Sequence, residues 1–359
     1  MKIGILTYHR SHNYGALLQA IALHNVLVEM GHEVSFVDYW PGYHRRMYAQ
    51  LNWRQIMSVW HLQDWFRYIK GRILSWNAIK KRIMAVTSFI DKYVSPKCTL
   101  LDEKYDLIVC GSDQIWRKQP EHYGYNPVYF GKNSIRATKQ ISYAASMGNL
   151  PSSEGDKTKV KEFVSCLDAV SVRENNLAEF LRSIGIDNVA VSLDPTLLLS
   201  AEKWNTLIPV ENSYSEKYAL FYEITEKCFD ENQMSDFCNK HGWRLIILRT
   251  KVPMHIKEYE LYSVGPDKFV NLVRSAEFVF TSSFHGLAFS IINHKNFLCS
   301  NSLNSGRLKS LLHNLCIDGH YIEPMNDIPS EIPQIDYNMV DEKMITLRAM
   351  SLQYLTSIN

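Results

Sequence analysis

No stretch of this chain approaches the roughly 20 consecutive apolar residues that a membrane-spanning helix needs. Its opening segment, MKIGILTYHR, has too short an apolar core for a secretory signal, so a cytoplasmic protein is expected. Cysteine is sparse: Cys98, Cys110, Cys166, Cys228, Cys238, Cys299 and Cys316 are odd in number and form no C-x-x-C pair. That pattern predicts neither a disulfide framework nor a thiolate zinc site, and the mostly apolar neighbours read the cysteines as reduced core residues. There is no G-x-G-x-x-G, which removes a dinucleotide fingerprint. Histidines and carboxylates share no ligand spacing, so neither a metal nor a cofactor is expected. A net charge of only +2 argues against a nucleic acid partner. No repeat of fixed period and no low-complexity segment is present.

What the chain does have is apolar content, 46% of 359 residues, enough for one large or two medium cores. KIGILTY reads as a buried parallel strand. YGALLQAIALHNVLVEMG follows as a helix that Asn13 can cap and Gly31 can end, and EVSFVDY completes a β-α-β unit. Further strands fall at DLIVCG, QISYAAS, AVSVR and VAVSL, with the helix ENNLAEFLRSIG between the last two. After PVENSYSEK the alternation restarts with YALFYEI, a helix over 230–241, RLIILRT, a helix over 266–275, EFVFT, a helix over 284–293 and NFLCS. The expected fold is α/β, with two Rossmann-like domains and a cleft between them. Residues 1–200 form the first domain, with a helical insertion over 42–100, and residues 201–330 form the second. A last helix within 336–359 is expected to pack back on the first domain.

In open α/β sheets, ligands bind at the carboxyl ends of strands, where loops meet helix N-termini. TSSFHGLAFS occupies such a position after EFVFT: Ser282 or Ser283 can cap the next helix, His285 falls in its first turn, and Gly286 lets a ligand approach the backbone. The N–H groups and positive dipole end there favour an anion, and an imidazolium adds charge and a transferable proton. A hydrogen-bonded structural histidine would fit the same letters. AVSVREN brings Arg173, a planar fork for carboxylate or phosphate, to a helix start beside Glu174, with an ion pair between the two as the alternative. His9, Arg10, His12, Asn13, Tyr14 and Gly15 crowd the loop after the first strand. VCGSDQIW offers Ser112, Asp113 and Gln114, of which Asp113 and Gln114 suit hydroxyl recognition and Asp113 a base; a turn is the competing reading. Arg307 and Lys309 open a further helix, whereas Asp194, before Pro195, reads as a turn residue.

Seven of these stretches, GILTYHRSHNYGALLQA, YDLIVCGSDQIW, ISYAASMG, VSVREN, LDPTLLL, SSFHGLAFSI and GRLKSLL, resemble the polysaccharide pyruvyl transferase family in order and spacing, from Met1 to about Leu312. The resemblance implies a fold similar to the GT-B glycosyltransferases. It also implies transfer of the enolpyruvyl carbons of phosphoenolpyruvate to a sugar, giving a pyruvate ketal that often bridges O4 and O6 of a hexose such as galactose. Arg173 and His285 match the family's donor-binding positions, with Ser283, Gly286 and Leu287 beside the histidine and Arg307 on the adjoining helix. With that donor, the catalytic set expected from the chemistry of these residues is His285 as donor ligand or proton source, Arg173, together with Arg307, as anion holder and Asp113 as hydroxyl activator. His12, Asn13, Tyr14, Gly15, Ser112, Asp113 and Gln114 then make up the acceptor side. The partners are phosphoenolpyruvate and a saccharide, the latter expected on a polyprenyl diphosphate lipid.

The insertion fits that acceptor. Between Gly42 and Val86, nine basic residues face the single acid Asp64, and they interleave with Trp53, Trp60, Trp65 and Trp76 beyond Trp40. This is the composition of a helix lying on an anionic leaflet, at the inner face of the cytoplasmic membrane, or of a helical subdomain whose tryptophans pack inward. Two other functions stay open at this point: a glycosyltransferase using a nucleotide sugar, and a sugar-binding protein without catalysis.

Overall fold

The structure, a computed structural model, describes residues 1–47, 76–119, 124–211, 214–225, 227–250, 260–303 and 305–358. Strands β1 (Lys2–Leu6), β2 (Glu33–Val37), β3 (Cys98–Thr99), β4 (Lys104–Asp113), β5 (Arg136–Ala145), β6 (Val170–Val172) and β7 (Val189–Val191) form one sheet in the order β3-β2-β1-β4-β5-β6-β7. Strands β8 (Tyr218–Glu223), β9 (Arg244–Arg249), β10 (Glu260–Leu261), β11 (Phe278–Thr281) and β12 (Asn296–Cys299) form a second, in the order β10-β9-β8-β11-β12. The paired strands run parallel in both. Parallel strands covered on both faces need continuous apolar runs, which is why KIGIL, YALFYE and FVFT contain so few polar residues. Strand order reverses between β1 and β4 and again between β8 and β11, the positions where crevices open in such sheets. Register sets Leu6 level with Cys110 and Tyr222 level with Thr281, so the loops flanking each crevice leave at matching heights.

The helices are α1 (Tyr14–Glu29), α2 (Gly42–Met47), α3 (Trp76–Tyr93), α4 (Glu154–Val164), α5 (Asn175–Ser183), α6 (Ala201–Leu207), α7 (Glu231–His241), α8 (Pro266–Ser275), α9 (Phe284–Ile292), α10 (Gly306–Leu315) and α11 (Tyr337–Thr356). Helix α1 is buried around nearly its whole circumference, because one side covers the first sheet and another meets the second domain. Tyr14 stacks on Tyr222 at 6.1 Å and donates its hydroxyl to Val264 O at 2.7 Å. One apolar cluster runs from Ile3 and Leu17 through Trp204 to Phe269 and Phe289, so the domains share a core. Helix α11 returns to the first domain. Tyr354 donates to Ser142 O, Arg348 to Leu197 O, and Ser351 Oγ accepts from Leu193 N.

Several details differ from expectation. Strands β3 and β10 have two residues each, too few to show a period. Helix α4 buries only Val160 and Val164, so its charged sequence carried no apolar stripe to read. Cys166 and Cys316 are exposed and are not core residues. Of the insertion, residues 48–75, with Trp53, Trp60 and Trp65, lie outside the described residues. Helix α3 turns Val86, Phe89 and Ile90 inward and leaves Lys80 and Lys81 exposed. It also reaches the second domain, where Arg82 donates to Thr250 O and Ser263 Oγ to Ala78 O.

Candidate active site

The two switch points open into one cleft of about 710 Å³ between the domains. Tyr8, His44, Asp113 and Gln119 line the first-domain wall; Thr225, Ser282, Ser283, His285 and Arg307 line the other. Asp113, the last residue of β4, has φ +74°, a conformation that a non-glycine side chain rarely adopts. Its carbonyl accepts from Ile115 N at 2.8 Å and Ser146 N at 3.0 Å, and these two bonds hold that geometry.

His285 sits in the first turn of α9, with Ser283 at the N-cap position. Ser283 makes no side-chain cap bond, and its buried Oγ has no hydrogen-bond partner, so the first-turn N–H groups lack a side-chain cap. Ser282 does not cap the helix either: its Oγ accepts from Ile224 N and Thr225 N and fixes the loop after β8. Nε2 of His285 lies 3.6 Å from Asp194 Oδ2, an ion-pair contact slightly too long for a hydrogen bond.

Asp194, at the end of the chain leaving β7, is fully buried. Its Oδ1 accepts from Thr196 N at 3.0 Å and Thr196 Oγ1 at 2.7 Å; its Oδ2 accepts from Arg173 Nη1 at 2.6 Å. Burial alone would raise its pKa, but His285, Arg173 and the Thr196 N–H together hold the carboxyl well below the usual carboxylate range. Arg173 is buried against the Phe284 ring, 4.7 Å from its centroid, and bonds Glu174 as well as Asp194. It does not line the cleft, and its remaining Nη2 is buried without a partner.

Arg307, the second residue of α10, does line the cleft. In the amide orientation that satisfies both groups, Gln114 accepts from Arg307 Nη2 at 2.8 Å, a bond across the domain boundary. Burial, then the charge of Arg173, pushes the Arg307 pKa down to about 10. A cation so loaded is stabilised by any anion that enters beside it.

Other sequence candidates sit elsewhere. Gly286 faces the core, where a Cβ would fall 2.1 Å from Thr281 Oγ1; its role is close helix-strand packing and not ligand approach. Leu287 is wholly buried in the shared core. Ser112 is also buried, donating its N–H to Gln19 and its hydroxyl to Ala144 O, so it braces the sheet end. Tyr14 belongs to the domain interface. Gly15 packs against His285, and Asn13 lines the cleft while capping α1 through Gly15 N and Ala16 N. His12 is half-buried beside Arg82, and burial and that charge push its pKa down to about 4. Lys309 pairs with Glu323 at the surface. Sequence reasoning missed Asp194 as a site residue, along with Tyr8 and His44. His44 packs edge-on to Tyr8 at 4.3 Å, and burial pushes its pKa down to about 4 against the opposing pull of Asp113.

The family described as polysaccharide pyruvyl transferase matches residues 13–303. No curated protein sequence matches the chain. Among solved structures, the chain is similar to the Methanocaldococcus jannaschii UDP-GlcNAc 2-epimerase at 10% identity and TM-score 0.44, over 97% of this chain and 93% of that one. It is similar to the E. coli heptosyltransferase WaaC at 11% identity and TM-score 0.36, over 97% and 100%. The glycosyltransferase SnogD from Streptomyces nogalater gives 12% identity and TM-score 0.40, over 98% and 94%.

Proposed function

Because the chain belongs to the polysaccharide pyruvyl transferase family, we propose that it moves the pyruvyl group of phosphoenolpyruvate onto a hexose of a lipid-linked saccharide and closes a 4,6-ketal, with galactose the favoured hexose. The observation that carries this reading is the convergence of His285, Arg307 and the uncapped start of α9 on a cleft whose opposite wall presents Asp113. Phosphoenolpyruvate brings a carboxylate and a phosphate, so its site needs cations and helix N–H donors in one small volume. Arg307 and α9 meet that need directly, and Arg173 supports it from behind.

The chemistry then follows in balanced steps. His285 gives a proton to C3, the C2–C3 π pair becomes the new C–H bond, and C2 turns oxocarbenium-like. The first sugar hydroxyl attacks C2 as Asp113 takes its proton. Phosphate leaves with that proton. The second hydroxyl closes the ketal, and its proton returns to His285. Neither a metal nor a cofactor is called for, only phosphoenolpyruvate as donor. The acceptor lies against Tyr8, Asn13, His44, Asp113, Gln114 and Gln119, which keeps Asn13, Asp113 and Gln114 of the acceptor side expected from sequence and leaves out His12, Tyr14, Gly15 and Ser112, which do not line the cleft.

No helix among the described residues is long and apolar enough to cross a membrane, so a lipid-linked acceptor would be met at the membrane surface. The test is incubation of the full chain with phosphoenolpyruvate and a panel of methyl hexosides and lipid-linked saccharides. Phosphate release with a matching mass gain on the sugar is expected. Protection from proteolysis by a nucleotide sugar and not by phosphoenolpyruvate would instead favour a glycosyltransferase.

A further inference from the structure

We infer that Asp194 is a positioning residue for His285: its Oδ2 anchors the Nε2–H of the imidazole, so that the proton exchanged with substrate moves at Nδ1. Oδ2 is the carboxylate oxygen nearest the ring, 3.6 Å from Nε2. The other oxygen is committed to Thr196 as the cap of the turn Pro195–Leu198, which fixes the plane of the carboxylate. Arg173 Nη1 at 2.6 Å holds Oδ2 from the far side. A carboxylate held this way can turn toward a ring nitrogen only by small movements, and a contraction of a few tenths of an ångström converts the contact into a charge-assisted hydrogen bond.

Imidazole has two nitrogens, and occupation of one by a fixed acceptor assigns the proton and the free position of the other. Nε2 is buried and faces Asp194; Nδ1, over which Gly15 packs, is the nitrogen that Asp194 does not occupy, on a residue that lines the cleft. The charged groups around the ring are Asp194, Arg173 and Glu174 from the ends of β6 and β7, Asp113 from β4 and Arg307 from α10. Asp194 is the one whose oxygen meets the imidazole. The arrangement crosses the domain boundary, so the docking of the two domains itself sets the orientation of the histidine.

Naming the substrate rests on the pyruvyl-transfer reading, whereas naming the nitrogen does not, and the experiment keeps them apart. Long-range proton–nitrogen NMR on the full chain labelled with ¹⁵N-histidine, assigned through H285Q, reports the tautomer of the neutral ring. The proton is expected on Nε2 in the wild type, and Asp194→Asn is expected to abolish that preference. With phosphoenolpyruvate and methyl galactoside as probes, D194N should lower kcat by at least about tenfold while KM for phosphoenolpyruvate stays within about twofold. A wild-type proton on Nδ1, or a folded D194N with an unchanged tautomer, overturns the inference. If D194N does not fold, the wild-type tautomer alone decides it. Absence of phosphate release by the wild type overturns the substrate reading and leaves the tautomer result standing.

Discussion

His285, from the second domain, lies against Gly15, from the first, so closely that a Cβ on Gly15 would fall 1.9 Å from the imidazole Nδ1. Neither residue can shift alone. Gly15 is locked by the Asn13 cap on α1, and His285 by the first turn of α9. Gly15→Ala is therefore expected to displace the ring or pry the domains apart, at an overpacking cost of about 1–3 kcal/mol. Thermal melting measures the stability loss, and phosphate release from phosphoenolpyruvate should fall much further than stability does. A G15A protein with wild-type turnover would show that the contact does not constrain the histidine.

His285→Ala should leave the fold intact, since Asp194 keeps Arg173 and Thr196 as hydrogen-bond partners, and should lower ketal formation by about 10²-fold or more. Arg307→Ala should act differently, raising KM for phosphoenolpyruvate more than it lowers kcat, because its role is to hold an anion. Steady-state kinetics on the two variants separates the roles. Equal effects on KM in both would remove the distinction between proton source and anion ligand.

How much of this was legible beforehand varied by residue. The β11–α9 junction was readable because an apolar strand stops abruptly at TSSFHG, and local pattern alone puts His285 in a helix start. Asp194 was not readable as a site residue, since Asp before Pro gives a turn, and it does cap that turn through Oδ1. Only tertiary folding brings Arg173 and His285 to its second oxygen. Gly15 and Gly286 show the same limit: a glycine that admits a ligand and one that admits a neighbouring side chain are the same letter, and both of these admit a neighbour. Leu287 next to a site histidine points into the core because it lies on the side of α9 away from the cleft that His285 lines.

Acid should act on the first domain through Asp194. Its folded-state pKa is depressed below that of an unfolded carboxyl, near 4, so its contribution is present above about pH 4 and is lost as pH falls below that value. Asp194→Asn removes this contribution at neutral pH and leaves Arg173 buried with only Glu174, at a cost of about 3 kcal/mol. Melting curves from pH 7 down to pH 3 are expected to hold a constant gap between wild type and variant above about pH 4 and to start closing it below that, without meeting by pH 3, because the folded carboxyl titrates further down. Parallel curves at all pH values would mean that the carboxylate charge is not what stabilises this corner.

Metal chelation tests a different corner of the first domain. His9, Asp38 and Cys98 bring potential ligand atoms within 4.8 Å of one another, the closest approach to a metal centre among the described residues. Arg10, however, already takes both carboxylate oxygens of Asp38, at 2.6 and 2.8 Å, and His9 Nε2 shares one of them at 3.3 Å. Burial pushes the Cys98 thiol up to about 11, which disfavours the thiolate that a soft metal requires. A cation would have to displace Arg10 and deprotonate Cys98 at once, so the trio acts as an ion pair packed beside a thiol. Exhaustive chelation should leave ketal formation unchanged, and Cys98→Ser should bind no less zinc than the wild type, because neither binds it there. Loss of activity on chelation that added zinc restores in the wild type and not in C98S would make this cluster a metal site after all.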